Sequence, residues 1–172
     1  MKLGKVAVIG AGAIGSYFID GLSEKLGQNL WVIAQGERKE RLLKNGIIVN
    51  QKKMSLAVKT PEEAAGADLI IVAVKYGALQ ESLPMIKKIV DAHTIVLSPL
   101  NGIDSETIIG EKIGMEHLVY SMIKIASQRV GMRLLMIRRL RKEFILESRM
   151  EKKVSAFRQL KHYLKEPRYI II

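Results

Sequence analysis

The first fifteen residues constrain this chain most. A short apolar run, Val6-Ala-Val-Ile9, meets Gly10-Ala-Gly12-Ala-Ile-Gly15, and a helix-compatible segment follows. Gly-x-Gly-x-x-Gly between a strand and a helix is the layout of a dinucleotide-binding turn. Gly10 permits the tight turn, Gly12 lets the backbone approach a pyrophosphate, and Gly15 lets the helix pack closely on the strand. Ala11, Ala13 and Ile14 complete the same loop and its first helical turn. The helix N-terminus then offers free N–H groups and a positive dipole end to the phosphates. The competing reading is a glycine turn that holds nothing.

Beyond the turn, strand-like and helix-like segments alternate, which indicates an α/β fold: a Rossmann-type, mostly parallel sheet with helices on both faces. Val6–Ile9 is expected as a strand and Ala13–Leu26 as a helix. Leu30–Ala34 is a second strand, and Glu37–Lys44 a helix stopped at Asn45-Gly46. Gly46–Asn50 and Met54–Lys59 form an expected strand pair, with Gln51–Lys53 as its polar turn. Pro61–Ala65 opens a brief helix. Asp68–Val74 is a continuous apolar run, as a central buried strand should be. Ala78–Val90 is a helix, Thr94–Leu97 a strand, and Asn101-Gly102 turns into a helix through Ile113. Leu118–Met122 is a further strand, with Ile123–Val130 extended or irregular.

The 172 residues are enough for one domain with a real core. There is no cysteine, which excludes disulfides, thiolate metal sites and cysteine nucleophiles. His93, His117 and His162 have no metal-ligand spacing, so no metal is expected. No apolar stretch reaches membrane-spanning length and no signal peptide precedes the first strand, so no membrane partner and a cytoplasmic location are expected.

Charge divides the chain in two. Residues 1–131 carry 16 Lys and Arg against 13 Asp and Glu, whereas 132–172 carry 12 against 4. All 14 glycines lie at or before Gly131. The expected organisation is therefore a Rossmann domain over 1–131 and a basic tail over 132–172. Val154, Phe157, Leu160 and Leu164 have helical spacing, so the tail can be read as a basic amphipathic helix for an acidic partner or as a solvated extension. Used on nucleic acid or an acidic protein, such a tail would make the chain a nucleotide-binding module. It carries no nucleic-acid fold signature, so nucleic acid is the disfavoured partner.

Three positions at strand ends suggest chemistry. The second strand leads into Gln35-Gly-Glu37-Arg38-Lys39, where NAD-selective sites usually place an acid for the ribose 2′-hydroxyl. Cations at Arg38 and Lys39 instead suit a 2′-phosphate, favouring NADP (NADPH), although Glu37 competes and both cations also suit a plain helix surface. Lys75 follows the buried run Asp68–Val74, at the edge where open α/β sheets bind ligands. Its ammonium could polarise a carbonyl or hold a carboxylate, or simply be solvated. Asn101 ends the next strand and suits a ribose or substrate hydroxyl, or an ordinary Asn-Gly turn.

Together these features resemble the ketopantoate reductase (2-dehydropantoate 2-reductase) family. The matching residues are Gly10–Gly15, Ile33–Arg38, Val72–Lys75, Asn101-Gly102 and Ala126–Gly131, in order and spacing over residues 1–131. The resemblance implies reduction of a 2-keto acid, ketopantoate, to a 2-hydroxy acid with NADPH in pantothenate and coenzyme A biosynthesis. It implies that Gly10, Gly12 and Gly15 hold the pyrophosphate, and that Lys75 and Asn101 lie near nicotinamide and substrate. A glycerol-3-phosphate or sugar-nucleotide dehydrogenase is a rival that Asn101-Gly102 and Arg129-Val-Gly131 disfavour.

The chain departs from the family pattern twice. The family commonly has Arg at the position of Gln35, so Arg38 is expected to substitute. Its C-terminal all-helical domain, which supplies a lysine general acid and substrate-binding groups, has no recognisable counterpart after Gly131. The chain alone is therefore expected to bind cofactor without turnover, and its uncovered apolar face favours a homo-oligomer. Back-translated and read one base earlier, Met132–Lys153 can encode NAITYDPEAEKGVYFGEPDGEK, which is similar to the family's continuation after Arg-Val-Gly. A frame change at Gly131 is thus a third reading of the tail.

Overall fold

The computed structural model describes residues 3–100, 104–124, 127–130, 133–136, 143–147, 158–160 and 168–171. Strand β1 (Val6–Ile9) runs through the Gly10–Gly12 turn into helix α1 (Ala13–Leu26). Strand β2 (Leu30–Ile33) follows, then α2 (Gly36–Asn45) and the hairpin β3 (Ile47–Val49) and β4 (Lys52–Met54). Next come β5 (Ala57–Lys59), β6 (Leu69–Val72), α3 (Leu79–Ile89), β7 (Ile95–Leu97), α4 (Ser105–Ile113) and β8 (Leu118–Lys124).

The strands β8-β7-β6-β1-β2-β5 lie side by side in that order, each neighbouring pair parallel. This is the doubly wound arrangement, in which the order reverses direction between β1 and β6. The expected Rossmann-type α/β fold is what forms. Strands β1, β2, β6 and β7 are apolar throughout because both faces are covered. Val6, Val8, Val32 and Ile71 face α1, whose Phe18, Ile19 and Leu22 are fully buried. Ala7, Ile9, Ile70 and Val72 face the other way, against Leu79, Leu83, Ile86 and Ile89 of α3 and Ile109 of α4.

Two glycines let α1 sit against the sheet. Gly10 has φ +98°, and a Cβ there would stand 2.5 Å from the Ala73 carbonyl oxygen. A Cβ on Gly15 would overlap the Gly10 carbonyl and press on the Ala73 methyl. The turn, the helix and the neighbouring strand meet at backbone distance, which only glycine allows.

One segment departs from expectation. Met54–Lys59 is not one strand: β4 pairs antiparallel with β3, whereas β5 joins the main sheet parallel to β2. The hairpin turn is also tighter than Gln51–Lys53. It centres on Asn50 and Gln51, both left-handed at φ 47° and 68°, while Lys52 and Lys53 already belong to β4. Two consecutive positive φ values are the mark of a type I′ turn, whose twist matches that of paired strands.

Later strands extend this framework. Strands β9 (Ser127–Val130) and β10 (Arg133–Met136) form an antiparallel pair, with β10 beside β3. Strand β11 (Glu143–Glu147) lies antiparallel on β8, and β12 (Arg168–Ile171) parallel on β11. Extended backbone thus stands at 133–136 and 143–147, where a basic helix was one expectation. Residues 158–160 are helical. The Gln159 amide accepts from the Leu3 N–H at 2.7 Å and donates to its carbonyl at 3.2 Å, and Leu160 is buried in the α1-side core. Val154, Phe157 and Leu164, the other members of the helical spacing, lie outside the described residues.

Two stability outcomes follow. Gln51→Gly relieves an L-residue from a left-handed site and is expected to raise stability by about 0.5–1 kcal/mol, measured by denaturant unfolding. Gly15→Ala drives a methyl group into backbone and is expected to cost about 3 kcal/mol or more, seen as loss of the cooperative melt.

Candidate dinucleotide site

Parallel strands place their carboxyl ends on one edge, and there the ends of β1, β2 and β6 lead into candidate residues. At the end of β1, Gly12 caps α1 with φ −81° and ψ −159°. No side chain caps this helix and its first turn contains no acid. A Cβ built on Gly12 would meet no atom within 4 Å, and the residue is exposed. Gly10 and Gly15 are thus filled against protein, while Gly12 opens to solvent. Ala11, Ala13 and Ile14 are half-buried and pack on the α1-side core, fixing the loop from below. The first N–H groups of α1 have no earlier turn to bind, so they face outward with the positive end of the dipole. A pyrophosphate fits this chemistry.

At the end of β2, the Ala34 N–H is held by the Lys59 carbonyl at 3.0 Å, and Gln35 caps α2 without a side-chain hydrogen bond. Gln35, Glu37 and Arg38 are exposed. Lys39 is committed elsewhere: its ammonium lies 2.8 Å from Glu63. That carboxylate also accepts the Thr60 N–H at 2.7 Å, while Thr60 Oγ1 accepts the Glu63 N–H at 3.3 Å. Thr60-Pro61-Glu62-Glu63 is a capping box with proline at the first position of the short turn it starts. The Lys39 hydrogen bond, aided by the Thr60 backbone, holds the Glu63 carboxyl below its ordinary range. Its neighbour Glu62, 2.7 Å from Lys88, is lowered to about 2 mainly by that hydrogen bond. Among the described residues Arg38 makes no ion pair, and it is exposed near Gln35 in sequence.

Sequence reasoning missed the tie on Lys39. The Thr-x-x-Glu spacing was there to be read, but not that α2 would bring Lys39 onto it.

Beyond β6 the chain continues through Ala73 and Val74 to Lys75, which is exposed and extended at φ −74° and ψ 149°. Its carbonyl accepts the Ala78 N–H at 2.8 Å and starts a single turn, Tyr76–Ala78, before α3. Ala73 is the residue against which Gly10 and Gly15 pack, so Lys75 leaves the sheet beside the glycine turn, at the β1–β6 switch point. Among the described residues Lys75 has no ion-pair partner. Tyr76 is 53% exposed, a large apolar group at the same edge. Asn101 and Gly102 lie outside the described residues. The described residues contain no group of three His, Asp or Glu side chains able to hold a metal, and no helix long and apolar enough to cross a membrane.

Known proteins are similar to this chain in sequence and in fold. A family model described as ketopantoate reductase PanE/ApbA matches residues 6–142, which runs past Gly131. The uncharacterized oxidoreductase YkpB of Bacillus subtilis is 28% identical over 102 residues, covering 57% of this chain and 33% of that protein. A 2-dehydropantoate 2-reductase of Mesorhizobium japonicum is 29% identical over 104 residues, covering 58% of this chain and 32% of that one. The chain thus matches about a third of the length of these curated relatives. In fold, it is similar to D-mandelate dehydrogenase, solved as a ternary structure with NADH and anilino(oxo)acetate. The TM-score is 0.79 at 24% identity, over 96% of this chain and 56% of that one. With a family model matching most of its length, the chain belongs to the ketopantoate reductase PanE/ApbA family.

Proposed function

We propose that residues 1–131 form the NADP-binding half of an oxidoreductase of the 2-dehydropantoate 2-reductase type, which reduces a 2-keto acid to a 2-hydroxy acid. The observation that carries this reading is the bare N-terminus of α1, opening through Gly12 beside Lys75 at the switch point. NADPH, when bound, supplies the hydride. The α1 N–H groups hold its pyrophosphate. Arg38 takes the 2′-phosphate in place of the arginine that relatives carry at Gln35. A carboxylate or carbonyl of the keto acid is held by the Lys75 ammonium. Asn101 meets a ribose or substrate hydroxyl. The general acid belongs, by family resemblance, to a helical second domain. The 172-residue chain is therefore expected to bind NADPH and to oxidise it at background rates with ketopantoate. Its uncovered faces favour self-association.

The tail admits two readings. The shifted-frame peptide over Met132–Lys153 supports a frame change at Gly131. The Gln159–Leu3 bonds and buried Leu160 support a tail selected to pack on this domain. Resequencing the gene across codons 120–172 separates them. One restored base that opens a long frame for a helical domain supports the first, and an unbroken frame as given supports the second.

Binding tests the site itself. The chain is expected to bind NADPH more tightly than NADH in a fluorescence titration. Arg38→Ala should weaken NADPH about tenfold with NADH unchanged, the loss of one charge-assisted contact. Gly12→Ala should weaken both cofactors without shifting the melting temperature, since its methyl group meets only ligand space. Equal affinity for NADH and NADPH in the parent chain would overturn the NADP assignment.

A further inference from the structure

A second recess lies at the other end of α1 from Gly12. Its volume is about 320 Å³, at the lower end of the roughly 300–1,000 Å³ usual for small-molecule sites. It originates in the change of sheet between β4 and β5. The chain leaves the hairpin at Met54 and enters the main sheet at Ala57, so Ser55 and Leu56 bridge two sheets. A notch is left between them, the last turn of α1 and the start of β2. Leu30 and Ala57 are the first residues of β2 and β5, which puts the recess on the amino edge of the sheet, away from the candidate dinucleotide site.

Two kinds of surface line it. Leu30, Val32 and Met54, all buried, form an apolar wall with half-buried Leu56. Glu24 and Gln28 stand on one side, Lys52 and Lys53 on the other, and all four are exposed. The Lys52 ammonium lies 3.8 Å from the Glu24 carboxylate, too long for a hydrogen bond. These side chains are 61% and 56% exposed, so the pair is weak and open to exchange. Lys53 lays its stem beside Gly46 and makes no ion pair among the described residues. Helix α1 ends here at Gly27, and the negative end of its dipole favours a cation.

This combination discriminates between ligands. A plain carboxylate would meet Glu24 and the carbonyl end of α1, whereas a plain ammonium would meet two lysines. A wholly apolar molecule would strip water from these charges and put nothing in its place. A zwitterion with an apolar body answers both signs and the wall together. We infer that the recess binds a free α-amino acid with an apolar side chain. Its carboxylate lies toward Lys52 and Lys53, its ammonium toward Glu24 and the end of α1, and its side chain on Leu30, Val32, Met54 and Leu56.

Leucine is the probe, with the full 172-residue chain. Trp31, the one tryptophan, donates its indole N–H to the Gln28 carbonyl at 2.9 Å, so its emission reports on this recess. Leucine is expected to change that emission saturably at roughly millimolar concentration, with calorimetric titration giving the same constant. Isocaproate lacks the ammonium, isoamylamine lacks the carboxylate, and glycine lacks the side chain. Each should bind about tenfold more weakly or worse. Lys53→Met keeps the stem beside Gly46 and removes the charge, and Glu24→Gln keeps the shape. Each should weaken leucine about fivefold, the loss of one screened charge contact, with the melting temperature unchanged.

No saturable binding of leucine would overturn the inference. So would isocaproate or isoamylamine binding as tightly as leucine, since the recess would then read one charge only. Leucine affinity left unchanged by both substitutions would place the amino acid elsewhere and overturn it as well.

Discussion

The contact on which the rest depends is backbone against backbone at the start of the chain. The Gly10 carbonyl lies where a Gly15 side chain would be, and the Ala73 carbonyl lies where a Gly10 side chain would be. This close stacking sets the distance of α1 from β1 and β6. It also decides which way the α1 N-terminus points. With larger residues the helix would have to lift away from the sheet, and its unsatisfied N–H groups would no longer converge on the switch point beside Lys75. The same two glycines that make the core compact therefore make the edge receptive. Gly12, between them, is different: a Cβ there would meet no atom within 4 Å, so packing among the described residues does not require a glycine at this position.

Charge at the neighbouring strand end is sorted by the same local geometry. Arg38 and Lys39 are adjacent in sequence but have different surroundings. Lys39 turns to the carboxylate that caps the Thr60–Glu63 turn, which neutralises it and braces α2 against the end of β5. Arg38 keeps its guanidinium exposed without an ion pair. A planar fork with fixed donors suits a phosphate better than a point charge does, so the arrangement leaves the more selective cation beside Gln35. Glu37 shares that exposed turn, and its carboxylate lowers the local potential that a 2′-phosphate would meet.

Much of this was legible in the sequence because the signals were strong and local. Four-residue apolar runs such as Leu69–Val72 can be little else than central strands, and a glycine triplet after one of them fixes both the turn and the helix. The failures were cases in which local pattern could not specify a partner. Met54–Lys59 has strand composition throughout, but Ser55 and Leu56 carry the chain from one sheet to another. Asn50 and Gln51 were hidden because glutamine is a poor left-handed residue, and the paired strands override that preference. The Ser98–Ser105–Glu106 hydrogen bonds join the end of β7 to the start of α4, a partnership that no local pattern in the sequence specifies.

The tail shows how two kinds of contact differ in what they reveal about selection. Strand β8 is seven residues long and would otherwise be an open edge, with unpaired N–H and C=O groups ready to accept any extended segment. Strand β11 covers it through main-chain hydrogen bonds, which almost any sequence can supply. That pairing therefore says little about whether residues 143–147 were selected to be there. The contacts of Gln159 and Leu160 are of another kind. A side-chain amide satisfies both the N–H and the C=O of Leu3, and a leucine fills a site with no exposure. Those contacts require particular residues at particular positions. A substitution at Gln159 removes both bonds to Leu3, whereas one within 143–147 leaves the main-chain pairing of β11 with β8 in place.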